Sequence, residues 1–210
     1  MTPIPVTIPS VAPVMVLPGA VLFPKAILPL RIFEPRYKAM LEFALENDRM
    51  FCVAQMKPEI SDAVSEDQLF HTAGIGLIAA SHTQADGTSN LMLHGLARVR
   101  FQGFVQESPF RIARVLPLVA VEGDSRKAED LAAELRKLCA KIRVNDAPLP
   151  EPFPEMFAKI TDPEDLANGV SHSLVGDGLE RQAILEEEDT TVRLRMLLRL
   201  IREQFFAHEK

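Results

Sequence analysis

Tryptophan is absent from this 210-residue chain, tyrosine occurs once, and cysteine occurs twice, at Cys52 and Cys139. Two isolated thiols in apolar segments make neither a disulfide framework nor a zinc pattern, so both read as buried small hydrophobes. No apolar run reaches the roughly 18 residues that a membrane span needs. The five histidines stand at 71, 82, 94, 172 and 208 with no paired metal-ligand spacing. No phosphate-cradling glycine loop of the P-loop or dinucleotide type occurs. Gly74-Ile-Gly76 is a lone G-x-G inside a strand pattern, without the third glycine and the following helix that a nucleotide loop needs.

Positive charge is also scarce where it would matter. The net charge is -6. Residues 1–120 carry ten basic and ten acidic side chains, and residues 121–210 carry thirteen and nineteen. No basic, aromatic-bearing face emerges that would track phosphates, so nucleic acid and membrane surfaces are not expected partners. The opening MTPIPVTIPSVAP lacks a basic n-region and is proline-rich, unlike a signal peptide. It reads as an extended arm, and the expected compartment is the cytoplasm.

What is present is concentrated first in residues 14–38, VMVLPGAVLFPKAILPLRIFEPRYK. Two apolar segments, 14–17 and 26–32, flank a loop that Pro18-Gly19 opens. Pro29 interrupts the second segment, which marks an edge strand or a bulge. Glu34-Pro35 starts a helix over 35–47, with Tyr37, Met40, Leu41, Ala44 and Leu45 on one face. Strands follow at 50–55 and 74–80, separated by a polar loop at 57–68. Asp86-Gly87 is a hairpin turn. The next strand alternates, with Leu91, Leu93, Ala97, Val99 and Phe101 on the buried face and Gly95 at a kink or bulge. A last strand covers 110–116. Six or so strands with one embedded helix predict a small barrel-like sheet over 1–120.

From 121 the pattern turns helical. Leu131, Leu135, Leu138 and Ile142 recur at helical spacing within 125–143. Pro148, Pro150, Pro152 and Pro154 predict a stiff extended bridge. Thr161-Asp-Pro-Glu164 is a helix start, a short helix covers 179–186, and Asp189 or Thr190 opens a final helix. Residues 121–210 therefore predict a helical bundle, and the whole chain an α+β fold.

Catalytic candidates are thin. Ser171-His172-Ser173 lies on a helix, where adjacent side chains diverge, and no nucleophile elbow accompanies it. The run Glu186–Asp189 suits a helix N-terminus. No catalytic, cofactor or metal residue is assigned. For contact with a polypeptide, the candidates are Leu22, Phe23 and Pro24 in the apolar loop, with Arg36 and Tyr37 at the helix start. The loop residues either present a patch or fold back on the core. Tyr37 alternatively packs in the core while Arg36 pairs with a carboxylate such as Glu34.

LPGAVLFPKAILPLRIFEPRY resembles the opening of the N-terminal substrate-binding domain of Lon ATP-dependent proteases. The form IFEPRY is similar to that of its small stand-alone and RING-associated members. Asp86-Gly87, His94-Gly-Leu-Ala-Arg98, Thr161-Asp-Pro-Glu-Asp-Leu-Ala167 and a final helix such as 191–205 follow in the family's order. The resemblance implies a PUA-like β-barrel and a helical bundle, together one domain. It implies a non-catalytic module, without ATPase or protease elements, that binds unfolded or specific polypeptides in quality control or as a protease adaptor. A separate ATP-dependent protease is the implied second partner. RNA binding is the alternative, because PUA-like barrels elsewhere bind RNA.

Overall fold

The computed structural model describes residues 7–58, 68–121, 124–144 and 147–207. Most of the polar loop read over 57–68, the start of the N-terminal arm and His208 lie outside them. The fold is α+β, with a six-stranded sheet, a two-stranded sheet and six helices among the described residues. Two compact units divide it. One runs up to Leu22 and resumes at Ile27–Leu118; the other joins Phe23–Ala26 to the chain from Val119 onward.

The first unit holds strands β1 (Val11–Val16), β2 (Ile27–Ile32), helix α1 (Pro35–Glu46), and strands β3 (Met50–Ala54), β4 (Thr72–Thr83), β5 (Ser89–Gln106) and β6 (Arg111–Leu118). The strand order is β2-β5-β4-β3-β1-β6, and β5 pairs with β6 as well. β1 and β3 run parallel, and the other pairs are antiparallel. β5 serves three neighbours because it is long and irregular. Its first half pairs with β2 and β4, and its second half with β4 and β6. The pairing with β4 shifts register between Ile75 and Gly76, leaving Leu96 as an extra residue beside Gly95, where a kink or bulge was expected.

Two apolar clusters explain the strand sequences. Val14, Val16, Cys52, Ala54, Ile75, Val99 and Phe101 belong to one. Met15, Phe51, Val53, Leu91 and Leu93 belong to the other, with Tyr37, Met40, Leu41 and Ala44 of α1. β3 contributes alternate residues to both, which is why MFCVA is apolar throughout and buried at every position. Arg98 departs from the alternation read in the sequence: it is 1% exposed, opposite Gly74 in register.

The second unit contains α2 (Ser125–Cys139), β7 (Arg143–Val144), β8 (Ala147–Pro148), α3 (Phe153–Lys159), α4 (Pro163–Leu174), α5 (Gly178–Glu186) and α6 (Thr190–Phe206). α2, α4 and α6 pack against one another. Four aspartates open four of these helices. Asp124, Asp162, Asp177 and Asp189 each accept an amide hydrogen bond from the first turn, which satisfies donors the helix itself cannot. Part of this unit's acidic excess is thus helix capping. The proline bridge is replaced by local structure: Arg143–Val144 pairs with Ala147–Pro148, and Pro154 sits in the first turn of α3. Neither place requires an amide donor from proline.

Candidate functional site

The motif Ile32-Phe-Glu-Pro-Arg-Tyr37 resolves into individual physical tasks. Ile32 is buried in the cluster beneath α1. Glu34 is the extended residue preceding the helix, and Pro35 begins it. Arg36 Nε donates to Glu34 Oε2 at 2.8 Å, and its guanidinium lies 4.5 Å from the centre of the Tyr37 ring. The Tyr37 phenol donates to the Val16 carbonyl at 2.8 Å and accepts from the Val16 amide at 3.2 Å. Burial raises its pKa, opposed by the neighbouring Arg36 charge, so the phenol stays neutral and keeps its donor. Phe33 has no such task. It is 61% exposed.

The apolar loop folds back. Leu22 and Phe23 are fully buried, and Pro24 is half-buried. Leu22 lies directly on β4: a Cβ at Gly74 would stand 1.9 Å from the Leu22 carbonyl oxygen, and one at Gly76 would stand 2.8 Å from Leu22 Cδ2. The two glycines that formed the lone G-x-G are therefore a seat for Leu22. Phe23 is grouped with the helical unit, where Lys25 pairs with Asp165 of α4. Of the five candidate contact residues, Leu22 and Phe23 are withdrawn from solvent, because apolar groups this large gain more by burial than by presentation. Arg36 is exposed and Tyr37 is buried.

An exposed apolar face stands elsewhere. Along β2, burial alternates, with Leu28 and Leu30 half-buried and Ile27, Pro29 and Arg31 exposed. The same period places Phe33 on the exposed side. Pro29 pairs with Met92 on β5, and Met92 with Ala80 on β4. Ile27 is 41% exposed and Met92 40%. One row further, Arg31, Asn90 and His82 align. Three residues from each strand, centred on Leu30, Ser81 and Leu91, line a hollow of about 420 Å³. The result is an apolar stripe across three strands, rimmed by a guanidinium and an imidazole. β2 is the end strand of the sheet, as Pro29 implied.

Arg36 and Tyr37 line a second feature, a cavity of about 220 Å³. Val14, Val16 and Phe110 floor it, with Pro18, Glu107 and Pro109 among the exposed residues at its mouth. Arg111 also lines it, bonded through Nε to Glu107 at 2.9 Å.

The remaining chemistry is structural. The Ser171 hydroxyl is buried and bonds to the Ala167 carbonyl one helical turn back. Among the described residues no cluster of His, Cys, Asp and Glu could hold a metal ion, and no helix is long and apolar enough to cross a membrane. The TDPEDLA segment is a hub. Asp162 caps α4, Glu164 meets the buried guanidinium of Arg193 at 3.3 Å, Asp165 pairs with Lys25, and Leu166 and Ala167 are buried. Arg193 was missed in the sequence because its flanking positions read as an ordinary amphipathic helix.

Residues 11–203 match the family described as the ATP-dependent protease La (LON) substrate-binding domain. Lon protease 2 of Myxococcus xanthus is 30% identical over 199 residues, covering 92% of this chain and 24% of that protein. A Lon protease of Desulfosudis oleivorans is 26% identical over 201 residues, covering 94% and 24%. The chain thus spans about a quarter of the length of these relatives. Among solved structures, the N-terminal domain of the Mycobacterium avium complex Lon protease superposes with a TM-score of 0.75 at 19% identity. It covers 93% of this chain and 100% of that one. A Lon N-terminal domain protein from Xanthomonas campestris gives 0.64 at 20% identity, covering 90% and 97%.

Proposed function

The chain belongs to the LON substrate-binding domain family, and from that premise we propose that it is a non-catalytic module that holds polypeptide segments on the outer face of β2, β5 and β4. The observation that carries the reading is the exposed apolar face of Ile27, Pro29 and Met92, with Phe33 exposed just past the end of β2. Aromatic and methionine side chains at the surface carry a cost in water that a partner's apolar side chains remove. The rim of Arg31, Asn90 and His82 supplies polar contacts without a basic field. Pro29 offers no amide on the sheet's end strand, so recognition runs through side chains on the face more than through strand addition at that position.

The sheet is read as a small PUA-like barrel, supported by the extra pairing of β5 with β6, which returns the strand order on itself. It and the helical bundle act as the two parts of one binding domain. Arg36 and Pro24 remain candidate contacts outside the stripe. The module works in the cytoplasm, delivering clients in quality control to an ATP-dependent protease.

A fluorescently labelled, permanently unfolded polypeptide tests the reading by anisotropy at two salt concentrations. Saturable binding with little salt dependence is expected. Phe33→Ser with Met92→Ser should weaken it at least tenfold, since burying one large apolar side chain contributes about 1.5–3 kcal/mol, with the melting temperature unchanged. Undiminished binding by the double variant refutes the face. Tight RNA binding that falls steeply with salt, in place of polypeptide binding, refutes the function.

A further inference from the structure

The cavity at Arg36 has a chemistry that the apolar stripe lacks. Its floor is apolar and buried: Val14 is 1% exposed, Val16 8% and Phe110 8%. Its charged lining is Arg36, Arg111 and Glu107, and Glu34 pairs with Arg36, so each guanidinium faces one carboxylate. The occupant that matches is small and apolar, with a carboxylate to take the guanidinium donors those braces leave.

Both guanidinium groups are held in place before anything binds. Arg36 is braced by Glu34 and lies over the Tyr37 ring. Arg111 is braced by Glu107 and lies 5.6 Å from the centre of the Phe104 ring. Both carboxylate braces engage guanidinium Nε, and Arg36 also engages Glu34 through Nη2, so Arg36 keeps donors on Nη1 for a second carboxylate. The volume, about 220 Å³, falls below the roughly 300–1,000 Å³ typical of cofactor and drug-sized sites. It suits one amino-acid side chain with its terminal group.

We propose that this cavity captures the C-terminal residue of a bound polypeptide, with an apolar last side chain on the Val14–Val16–Phe110 floor and the terminal carboxylate on Arg36 and Arg111. The site rests on the polypeptide-binding reading and deepens it, because it selects chains by their end where the stripe selects by apolar content. An internal segment satisfies the stripe alone. A free C-terminus satisfies both.

The test compares one ten-residue peptide ending in leucine, with a free carboxylate or a C-terminal amide, titrated into the intact chain by calorimetry. The free acid should bind at least tenfold more tightly than the amide. Arg36→Gln should abolish the acid's advantage, weakening the acid far more than the amide, and Arg36→Lys, which keeps charge without the planar fork, should fall between. Arg36 is exposed, so an unchanged melting temperature is expected for both variants. N-acetyl-leucine should compete with the acid peptide, and N-acetyl-leucinamide should not. Equal binding of acid and amide, or equal weakening of both by Arg36→Gln, overturns the carboxylate site while leaving the stripe standing. Failure of both peptides and of a long unfolded chain overturns site and function together.

Discussion

The Tyr37 hydroxyl bonds to both the amide and the carbonyl of Val16, across 21 residues of sequence. One phenol thereby ties the first turn of α1 to the last residue of β1, and it is the only tyrosine in the chain. Tyr37→Phe keeps the ring and removes both bonds in a buried setting. The urea midpoint should fall by the equivalent of about 1–3 kcal/mol with the m-value unchanged. A midpoint within error of the parent would mean that water replaces the hydroxyl.

Glycine substitutions should separate sharply. Gly74→Ala drives a methyl to within 1.9 Å of the Leu22 carbonyl, and backbone on both sides cannot yield cheaply. The variant should lose several kcal/mol or fail to accumulate folded. Gly169→Ala lies inside α4 and would meet nothing closer than Ile160 Cδ1 at 3.4 Å. It should be neutral or stabilising by up to about 1 kcal/mol, the helix propensity gain. Thermal melts of the two variants check both.

Much of this was legible in the sequence because single residues carried it. Pro29 lacks an amide, and β2 is the end strand. Asp86-Gly87 turns the β4–β5 hairpin, and the Thr88 amide and hydroxyl both donate to Asp86 Oδ1. Asp162 and Pro163 open α4 as their chemistry dictates. The apolar loop was not legible, because Leu22 and Phe23 pack in tertiary contexts that no local pattern encodes, and the Gly74 seat lies 52 residues beyond Leu22. Phe33 is hard to read from sequence for a related reason. Its strand period pointed outward, but the motif that contains it reads as a helix start, and only the accounting of every other residue in the motif leaves it without an internal role.

Acid should weaken the helical unit through the cap at Asp189. The side-chain hydrogen bond from Thr191, with amides of Thr191 and Val192, lowers the pKa of Asp189. A depressed folded-state pKa stabilises above the unfolded value and is lost as pH falls through the folded one. Stability measured by urea midpoint should therefore decline below about pH 4, the ordinary carboxylate range. Asp189→Ala should cost about 0.5–2 kcal/mol at pH 7. The gap between variant and parent should narrow in acid. A constant gap from pH 7 to pH 3 would contradict the capping role.

Both thiols should be silent in the native state. Burial pushes Cys139 up to about 12 and Cys52 higher still, so neither supplies thiolate at pH 8. Iodoacetamide should leave the native protein unmodified by mass spectrometry and label both cysteines in denaturant. Rapid native labelling of Cys139 would place α2 in an open form.

Polypeptide binding on the stripe across β2, β5 and β4 is read most directly by methyl NMR of Met92 and Ile27. Titration with an unlabelled unfolded polypeptide should shift or broaden both methyl signals saturably, while the buried methyl groups of Met15 and Met40 stay put. Unmoved Met92 and Ile27 signals at a concentration where binding is complete by anisotropy would contradict it.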